Sequence, residues 1–177
     1  MLRHLPNAVT ASRGVAGLVV AFLLLVGEPS RWAFPIFALA MLTDLVDGAL
    51  ARALQATGEL GRWLDPISDK VLTNITWIGL WGAGWVSGWV AALLIFRDIV
   101  TGVVFISARR SGRVFDVNLA GRVAVSLEAT ALGLLLFHGP WLDIDWQAVG
   151  SHVAWVCIGF NIAAAINYLR HGPAALP

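Results

Sequence analysis

Charged residues are scarce in this 177-residue sequence, in which Asp, Glu, Lys and Arg together make up only 13%. A typical soluble domain is about 25% charged, and its apolar share is below the 58% found here. There is one cysteine, Cys157, which excludes an intrachain disulfide. The net charge of +1 gives no reason to expect a nucleic-acid partner. This balance excludes a disordered chain and a disulfide scaffold, and it indicates an integral membrane protein.

The sequence contains several long runs of apolar residues. A membrane-spanning helix needs about 20 mostly apolar residues. Six stretches approach that length: Ala8–Val26, Trp32–Ala53, Pro66–Trp85, Trp89–Ala108, Leu119–Phe137 and Ser151–Tyr168. Because the loops between them are short, we expect residues 1–177 to form a single all-α domain of six transmembrane helices.

The positions of the basic residues predict how this domain is oriented. If the helices alternate in direction, one side of the membrane holds Arg3, Arg13, Arg52, Arg62, Lys70, Arg109, Arg110, Arg113, Arg122 and Arg170. Arg31 lies on the other side, and Arg97 lies inside the fourth span. The positive-inside rule then places both termini and the loops after the second and fourth helices in the cytoplasm, and we expect a bacterial inner membrane. The opposite side carries Trp32, Trp81, Trp85, Trp89, Trp141 and Trp146, which is typical of an interfacial aromatic belt.

Four carboxylates fall where lipid-facing residues would be expected, and such residues are functional candidates. Asp44 and Asp47 are three residues apart, and Asp65 and Asp69 are four apart, so each pair shares one helix face. The short linker between the second and third helices predicts that the two pairs face each other. Asp65 followed by Pro66 is also the pattern of a helix N-cap, which is the structural alternative for that residue.

A convergent set of carboxylates predicts a metal site. The four groups would repel one another unless cations lay among them, and oxygen ligands suit hard divalent ions. Two such ions would stabilise both sides of a phosphoryl displacement. Small residues at Gly48, Ala51 and Gly61 leave room for a substrate near the backbone. Asp44 lies roughly 18 Å along its helix from Trp32, so we expect a polar, metal-binding cavity that faces the cytoplasm and admits a lipid headgroup.

The complete pattern resembles the signature of a known family. Asp44-x2-Asp47-Gly48-x2-Ala51-Arg52-x8-Gly61-x3-Asp65-x3-Asp69 resembles the CDP-alcohol phosphatidyltransferase motif at every defined position. The opening Pro6-Asn7-x2-Thr10-x2-Arg13 resembles the branches that make glycerol phospholipids. The resemblance implies transfer of a phosphatidyl group from CDP-diacylglycerol to an acceptor alcohol with release of CMP. It also implies a membrane-embedded homodimer with two divalent cations per site, Mg²⁺ in first place and Mn²⁺ as the alternative.

The resemblance also assigns roles by motif position. It implies that Asp44, Asp47 and Asp65 are metal ligands. Asp69 would contact the second metal and act as the catalytic base that deprotonates the acceptor hydroxyl. The residues implied to bind the CDP-lipid are Asn7, Thr10, Gly48, Ala51, Arg52 and Gly61.

The acceptor is indicated less directly, by arginines. A guanidinium fork suits a phosphate on the acceptor, and the candidates are Arg110, Arg122 and Arg170. Orientation of the chain in the membrane is the structural alternative for this basic cluster. Arg122 after Gly121 resembles a Gly-Lys position in phosphatidylglycerophosphate synthases and the corresponding Lys of single-domain cardiolipin synthases.

Two further positions leave the acceptor open. Arg97-Asp98 resembles the cardiolipin-synthase branch, and an intramembrane ion pair that holds the fourth helix is its structural alternative. Val125 and Glu128 stand where both branches usually carry Thr and Gln. We expect glycerol 3-phosphate as the acceptor, with phosphatidylglycerol, and hence cardiolipin synthesis, as the alternative. A cation-coupled membrane transporter is the remote alternative from another functional class.

Overall fold

The computed structural model describes residues 5–27, 32–43, 59–110, 119–138 and 140–171, with side chains described within 14–27, 32–43, 70–107, 119–138 and 142–167. These residues form six helices and one short hairpin. The elements are α1 (Leu5–Val26), α2 (Trp32–Thr43), α3 (Glu59–Gly82), α4 (Gly88–Arg110), α5 (Leu119–Phe137), β1 (Pro140–Trp141), β2 (Ile144–Asp145) and α6 (Trp146–His171). The prediction of an all-helical chain with six helices is confirmed.

Two helices begin at least five residues earlier than the sequence predicted. α3 begins at Glu59, so the predicted start at Pro66 is wrong, and so is the N-cap alternative for Asp65. The fixed φ of Pro66 is compatible with a helix, although the ring removes the hydrogen bond to the Arg62 carbonyl and crowds that carbonyl. α6 begins at Trp146 because Asp145 is its N-cap, with the Ala148 N–H donating to Asp145 Oδ1 at 3.0 Å. Residues 44–53 of the predicted second helix lie outside the described residues.

A tight turn joins α3 to α4 and makes them antiparallel. Gly84 has a φ of +75°, and the N–H groups of Gly84 and Trp85 donate to the carbonyls of Trp81 and Leu80. This pair of bonds is the Schellman arrangement, in which glycine ends a helix without side-chain strain. The Ser87 hydroxyl then accepts from the Val90 N–H at 3.4 Å, near the start of α4.

Contacts between aromatic rings join several turns at one end of the bundle. Trp85 stacks on His138, with centroids 3.6 Å apart, and Phe137 meets the rings of Phe34 and Trp146 edge to face. The α3–α4 turn, the β-hairpin and the beginning of α2 therefore lie together, and we call this the turn end. Trp32, Trp81 and Trp89 are also at the turn end, where they are 59%, 57% and 80% exposed. This placement agrees with the predicted aromatic side of the membrane.

The remaining helices pack through small residues. α1 runs parallel to α3, because Gly17 approaches Leu72 and Ala21 approaches Gly79. α6 packs antiparallel on α5, where Gly150 lies against Leu135. Such close backbone approaches are typical of helix packing in membranes.

The outer surface is largely apolar. Three described helical segments are long and apolar enough to cross a membrane: Gly88–Ser107, Leu119–Phe137 and Trp146–Asn167. Two shorter apolar segments are Gly14–Val26 and Trp32–Thr43. Six spans remain a prediction.

Candidate functional site

Most predicted site residues that the structure describes lie on helix segments opposite the turn end. Because α1 and α3 are parallel and α5 runs toward His138, the starts of α1, α3 and α5 share this end with the last residues of α4 and α6. We call it the motif end. The residues on these segments are Asn7 and Thr10 in α1, Gly61, Asp65 and Asp69 in α3, Arg110 in α4, Arg122 in α5 and Arg170 in α6. Asp44, Asp47, Gly48, Ala51 and Arg52 lie outside the described residues.

The backbone of α3 sets the relation between Asp65 and Asp69. They are one turn apart, separated by about 6 Å along the axis and about 40° around it. Since both belong to one helix, the two positions lie on the same face of α3. Two carboxylates at this spacing fit a hard divalent cation, which prefers oxygen ligands. Among the residues whose side chains are described, no group of three or more His, Cys, Asp or Glu is placed to hold a metal ion.

Further along α3, four charged residues meet in the middle of the bundle, and we call them the midhelix quartet. Its members are Lys70 on α3, Arg97 and Asp98 on α4, and Glu128 on α5. Asp98 Oδ1 accepts from Lys70 Nζ at 2.5 Å and from Arg97 Nη1 at 2.7 Å. Glu128 Oε2 lies 3.8 Å from Lys70 Nζ and 3.7 Å from Arg97 Nη1. Two basic groups therefore offset two acidic ones.

Burial makes this pairing necessary. The Asp98 and Glu128 side chains are 0% and 2% exposed, whereas those of Lys70 and Arg97 are 28% and 19% exposed. A buried carboxylate without a partner would be strongly destabilising. The Arg97–Asp98 ion pair proposed from the sequence is confirmed, and it is extended by two residues from other helices.

Neutral groups complete the surroundings of the quartet. Trp77 Nε1 on α3 donates to Glu128 Oε1 at 3.1 Å. On α6, the Cys157 thiol donates to the Ala124 carbonyl at 3.2 Å, and Asn161 Nδ2 lies 3.4 Å from Cys157 Sγ. The bonds from Trp77 and Cys157 connect α3 and α6 to α5, where lipid offers no alternative partner.

The quartet was not predicted from the sequence. Lys70 was expected on the basic side of the membrane, but it lies midway along α3 and pairs with Asp98. The available signal was a lysine and two carboxylates, Asp98 and Glu128, near the centres of three long helices. That signal identifies costly residues but does not say which of them meet.

Comparison with known proteins identifies the family. Residues 3–166 match the sequence model of the CDP-alcohol phosphatidyltransferase family. A Bacillus subtilis protein named CDP-diacylglycerol--glycerol-3-phosphate 3-phosphatidyltransferase is 26% identical over 190 aligned residues, which cover 98% of this chain and 97% of the relative. A Pseudomonas fluorescens protein of the same name is 28% identical, with 94% and 89% covered. A Rattus norvegicus protein named cardiolipin synthase (CMP-forming) is 37% identical, with 95% of this chain and 61% of the relative covered.

The family match covers nearly the whole chain, including the acidic motif and all of the six helices except the last five residues of α6. It agrees with the resemblance carried by the motif residues. The chain is therefore an enzyme of the CDP-alcohol phosphatidyltransferase family.

Proposed function

We propose that this chain transfers a phosphatidyl group from CDP-diacylglycerol to glycerol 3-phosphate and releases CMP. The observation that carries the proposal is the placement of Asp65 and Asp69 one turn apart on α3, at the end of the bundle that also holds Arg110, Arg122 and Arg170. A negatively charged diphosphate and a phosphorylated alcohol need acidic metal ligands and basic side chains at one site. The names of the Bacillus and Pseudomonas relatives specify the same acceptor.

In the proposed reaction, the acceptor hydroxyl attacks the lipid-linked phosphorus of CDP-diacylglycerol. The new phosphorus–oxygen bond forms as the bond to CMP breaks, and Asp69 takes the hydroxyl proton. Asp44, Asp47, Asp65 and Asp69 would hold two divalent cations, Mg²⁺ or Mn²⁺. When bound, these cations offset the charge on the diphosphate and on the departing CMP.

Other motif residues would bind the substrates. Gly48, Ala51 and Gly61 leave space for the nucleotide, Arg52 would contact its phosphates, and Asn7 and Thr10 would line the nucleotide side. On the acceptor side, guanidinium groups would bind the phosphate of glycerol 3-phosphate. The apolar outer surface of the helices suits the acyl chains, which stay in the bilayer.

The proposal includes an arrangement in the membrane. The chain would form a single domain of six spanning helices in a bacterial inner membrane, with the motif end and both termini in the cytoplasm. The exposed tryptophans at the turn end support its position at a membrane interface, and the basic residues assigned to the other side support the orientation. We also propose a homodimer, on the basis of the family resemblance.

Phosphatidylglycerol is the second candidate acceptor, which would make the chain a cardiolipin synthase. The identity to the rat cardiolipin synthase and the Arg97–Asp98 pair favour it. Glycerol 3-phosphate is preferred because the relatives named for it are covered over 97% and 89% of their length, compared with 61% for the rat protein. The transporter alternative is disfavoured by the quartet, in which each described carboxylate lies beside cations and does not form an open acidic path.

An acceptor panel tests the proposal. Purified protein in lipid is given CDP-diacylglycerol, Mg²⁺ and one of four acceptors: glycerol 3-phosphate, phosphatidylglycerol, inositol phosphate or serine. Product lipids are identified by mass spectrometry and CMP is quantified. We expect phosphatidylglycerophosphate with glycerol 3-phosphate. Cardiolipin from phosphatidylglycerol alone would support the second candidate, and absence of CMP release with every acceptor would overturn both.

A further inference from the structure

Two side chains on one face of α3, Lys70 and Trp77, contact neighbouring helices. Lys70 and Trp77 are seven residues, or about two turns, apart, so their side chains leave the helix in nearly the same direction. Lys70 contacts Asp98 on α4 and approaches Glu128 on α5, while Trp77 donates to the other oxygen of Glu128. One carboxylate thus faces groups from two turns of α3. Contacts at two heights fix both the rotation of α3 about its axis and its position along that axis.

The motif positions Asp65 and Asp69 lie on the adjoining face of the same helix. Asp69 directly precedes Lys70, so the two positions are about 100° apart around the helix axis, and Asp65 lies one turn earlier. With side chains about 5–6 Å from the helix axis, a rotation of about 20° displaces a carboxylate by about 2 Å. A misplacement of about 1 Å at a reacting centre can slow a reaction about 100-fold. Small rotations of α3 therefore matter for chemistry.

The quartet can resist such rotations because its two carboxylates are buried. Turning α3 would withdraw Lys70 from Asp98 and Trp77 from Glu128, leaving polar groups without partners in an apolar bundle. Such unpaired groups are costly inside a membrane protein. Arg97 adds to this restraint, since it contacts Asp98 and approaches Glu128 and so links α4 to α5. Buried ionic groups can select one packing arrangement in this way.

We propose that the midhelix quartet and Trp77 are positioning residues, which set the rotation of α3 so that Asp65 and Asp69 face the metal ions and the acceptor hydroxyl. This inference rests on the proposed function. It assigns a role to Lys70, Arg97, Asp98 and Glu128 that does not involve contact with either substrate.

Substitutions at two linked positions test the role. Trp77→Phe keeps an aromatic ring and removes only the N–H that reaches Glu128. Glu128→Leu removes the oxygen that accepts the Trp77 hydrogen bond and the carboxylate that lies near Lys70 and Arg97. Glu128→Gln keeps an oxygen that can accept from Trp77. Thr76→Val is the matched control, because Thr76 is fully buried beside Trp77 and its hydroxyl donates to the Leu72 carbonyl within α3.

The measurements are kcat, the KM for glycerol 3-phosphate, and Mn²⁺ binding followed by electron paramagnetic resonance. We expect kcat to fall about 10-fold in Trp77→Phe and about 100-fold in Glu128→Leu. Mn²⁺ binding should weaken in both, since two of its proposed ligands are on α3. The KM for glycerol 3-phosphate should stay within about twofold, because its proposed contacts lie on other helices. Glu128→Gln should recover most of the kcat lost in Glu128→Leu.

Each other outcome has a distinct meaning. If folded Trp77→Phe keeps the parent kcat and Mn²⁺ affinity, the positioning role is wrong, and this variant decides the question even if Glu128→Leu does not fold. An equal loss in Thr76→Val would assign the effect to general packing and would also overturn the proposal. If the parent protein releases no CMP, the proposed function fails; the Mn²⁺ titration still reports whether the quartet positions the carboxylates.

Discussion

The contact between α1 and α3 at Gly79 predicts that a larger residue at this position lowers the stability of the protein. A Cβ atom added at Gly79 would lie 2.9 Å from the Cα of Ala21, 3.1 Å from its Cβ and 3.0 Å from Leu24 Cδ1. The nearest of these atoms belongs to the backbone of α1, which cannot move aside as the end of a flexible side chain can. Gly79→Ala should therefore force the two helices apart.

The size of the effect follows from two opposing contributions. Overpacking costs about 1–3 kcal/mol, while replacing a helical glycine by alanine returns up to about 1 kcal/mol. The net loss is about 1 kcal/mol, which lowers the Tm of a chain of this size by about 2–4 °C. Gly102→Ala on α4 is the matched control, since among the described residues no atom lies within 4 Å of its added Cβ. Its Tm should equal or exceed that of the parent.

Thermal unfolding in detergent, followed by circular dichroism, measures both variants. The expected order of Tm is Gly102→Ala, then the parent, then Gly79→Ala. A Gly79→Ala protein that unfolds at or above the temperature of Gly102→Ala would refute the close α1–α3 packing.

Two further predictions concern the two ends of the bundle. Burial lowers the pKa of His138 below its usual value of 6.5, and the charge of Asp145 only partly opposes this shift. Neutral His138 is therefore compatible with the fold above about pH 6.5, and stability is lost as the pH falls through the lowered pKa of His138. His138→Phe should make the Tm less dependent on pH between 5 and 8 than in the parent. His152→Gln, at an exposed histidine, is the control and should keep the pH dependence of the parent. Equal pH dependence of the Tm in the parent and in His138→Phe would contradict this prediction. At the motif end, Arg122→Gln should raise the KM for glycerol 3-phosphate about 10-fold with an unchanged KM for CDP-diacylglycerol, because one charge-assisted contact is lost. Ser126→Ala, one turn along α5, is the kinetic control, and an unchanged KM for glycerol 3-phosphate in Arg122→Gln would remove Arg122 from the acceptor site.

Local sequence patterns predicted much of the helical framework. The bounds of α5 agree with the prediction, because an apolar run with polar flanks defines Leu119–Phe137 without help from other segments. The start of α3 was missed because Asp65-Pro66 imitates a helix start, while the residues before it are also compatible with helix. The hairpin before α6 was missed because Leu142 and Asp143 have φ values of +57° and +58°, a conformation that neither residue signals clearly.

The candidate site, like the helices, could be predicted only in part from the sequence. The acidic motif could be found because its residues lie at fixed spacings within two short segments. The quartet could not, because its contacts join residues far apart in sequence: Trp77 and Glu128 are 51 positions apart, and Lys70 and Asp98 are 28 apart. Helix rotation decides which buried charges meet, and hydropathy alone does not specify that rotation.

Metal-dependent CMP release is the measurement that tests the central claim most directly. Purified protein is given CDP-diacylglycerol and glycerol 3-phosphate, first with EDTA and then with excess Mg²⁺, alongside Asp69→Asn and the control Asp145→Asn, which keeps the α6 N-cap. We expect no release with EDTA, full recovery with Mg²⁺, the parent rate in Asp145→Asn, and a rate at least about 100-fold lower in Asp69→Asn. Release that persists in EDTA, or an Asp69→Asn protein that turns over at the parent rate, would contradict a metal-dependent site with Asp69 as its base.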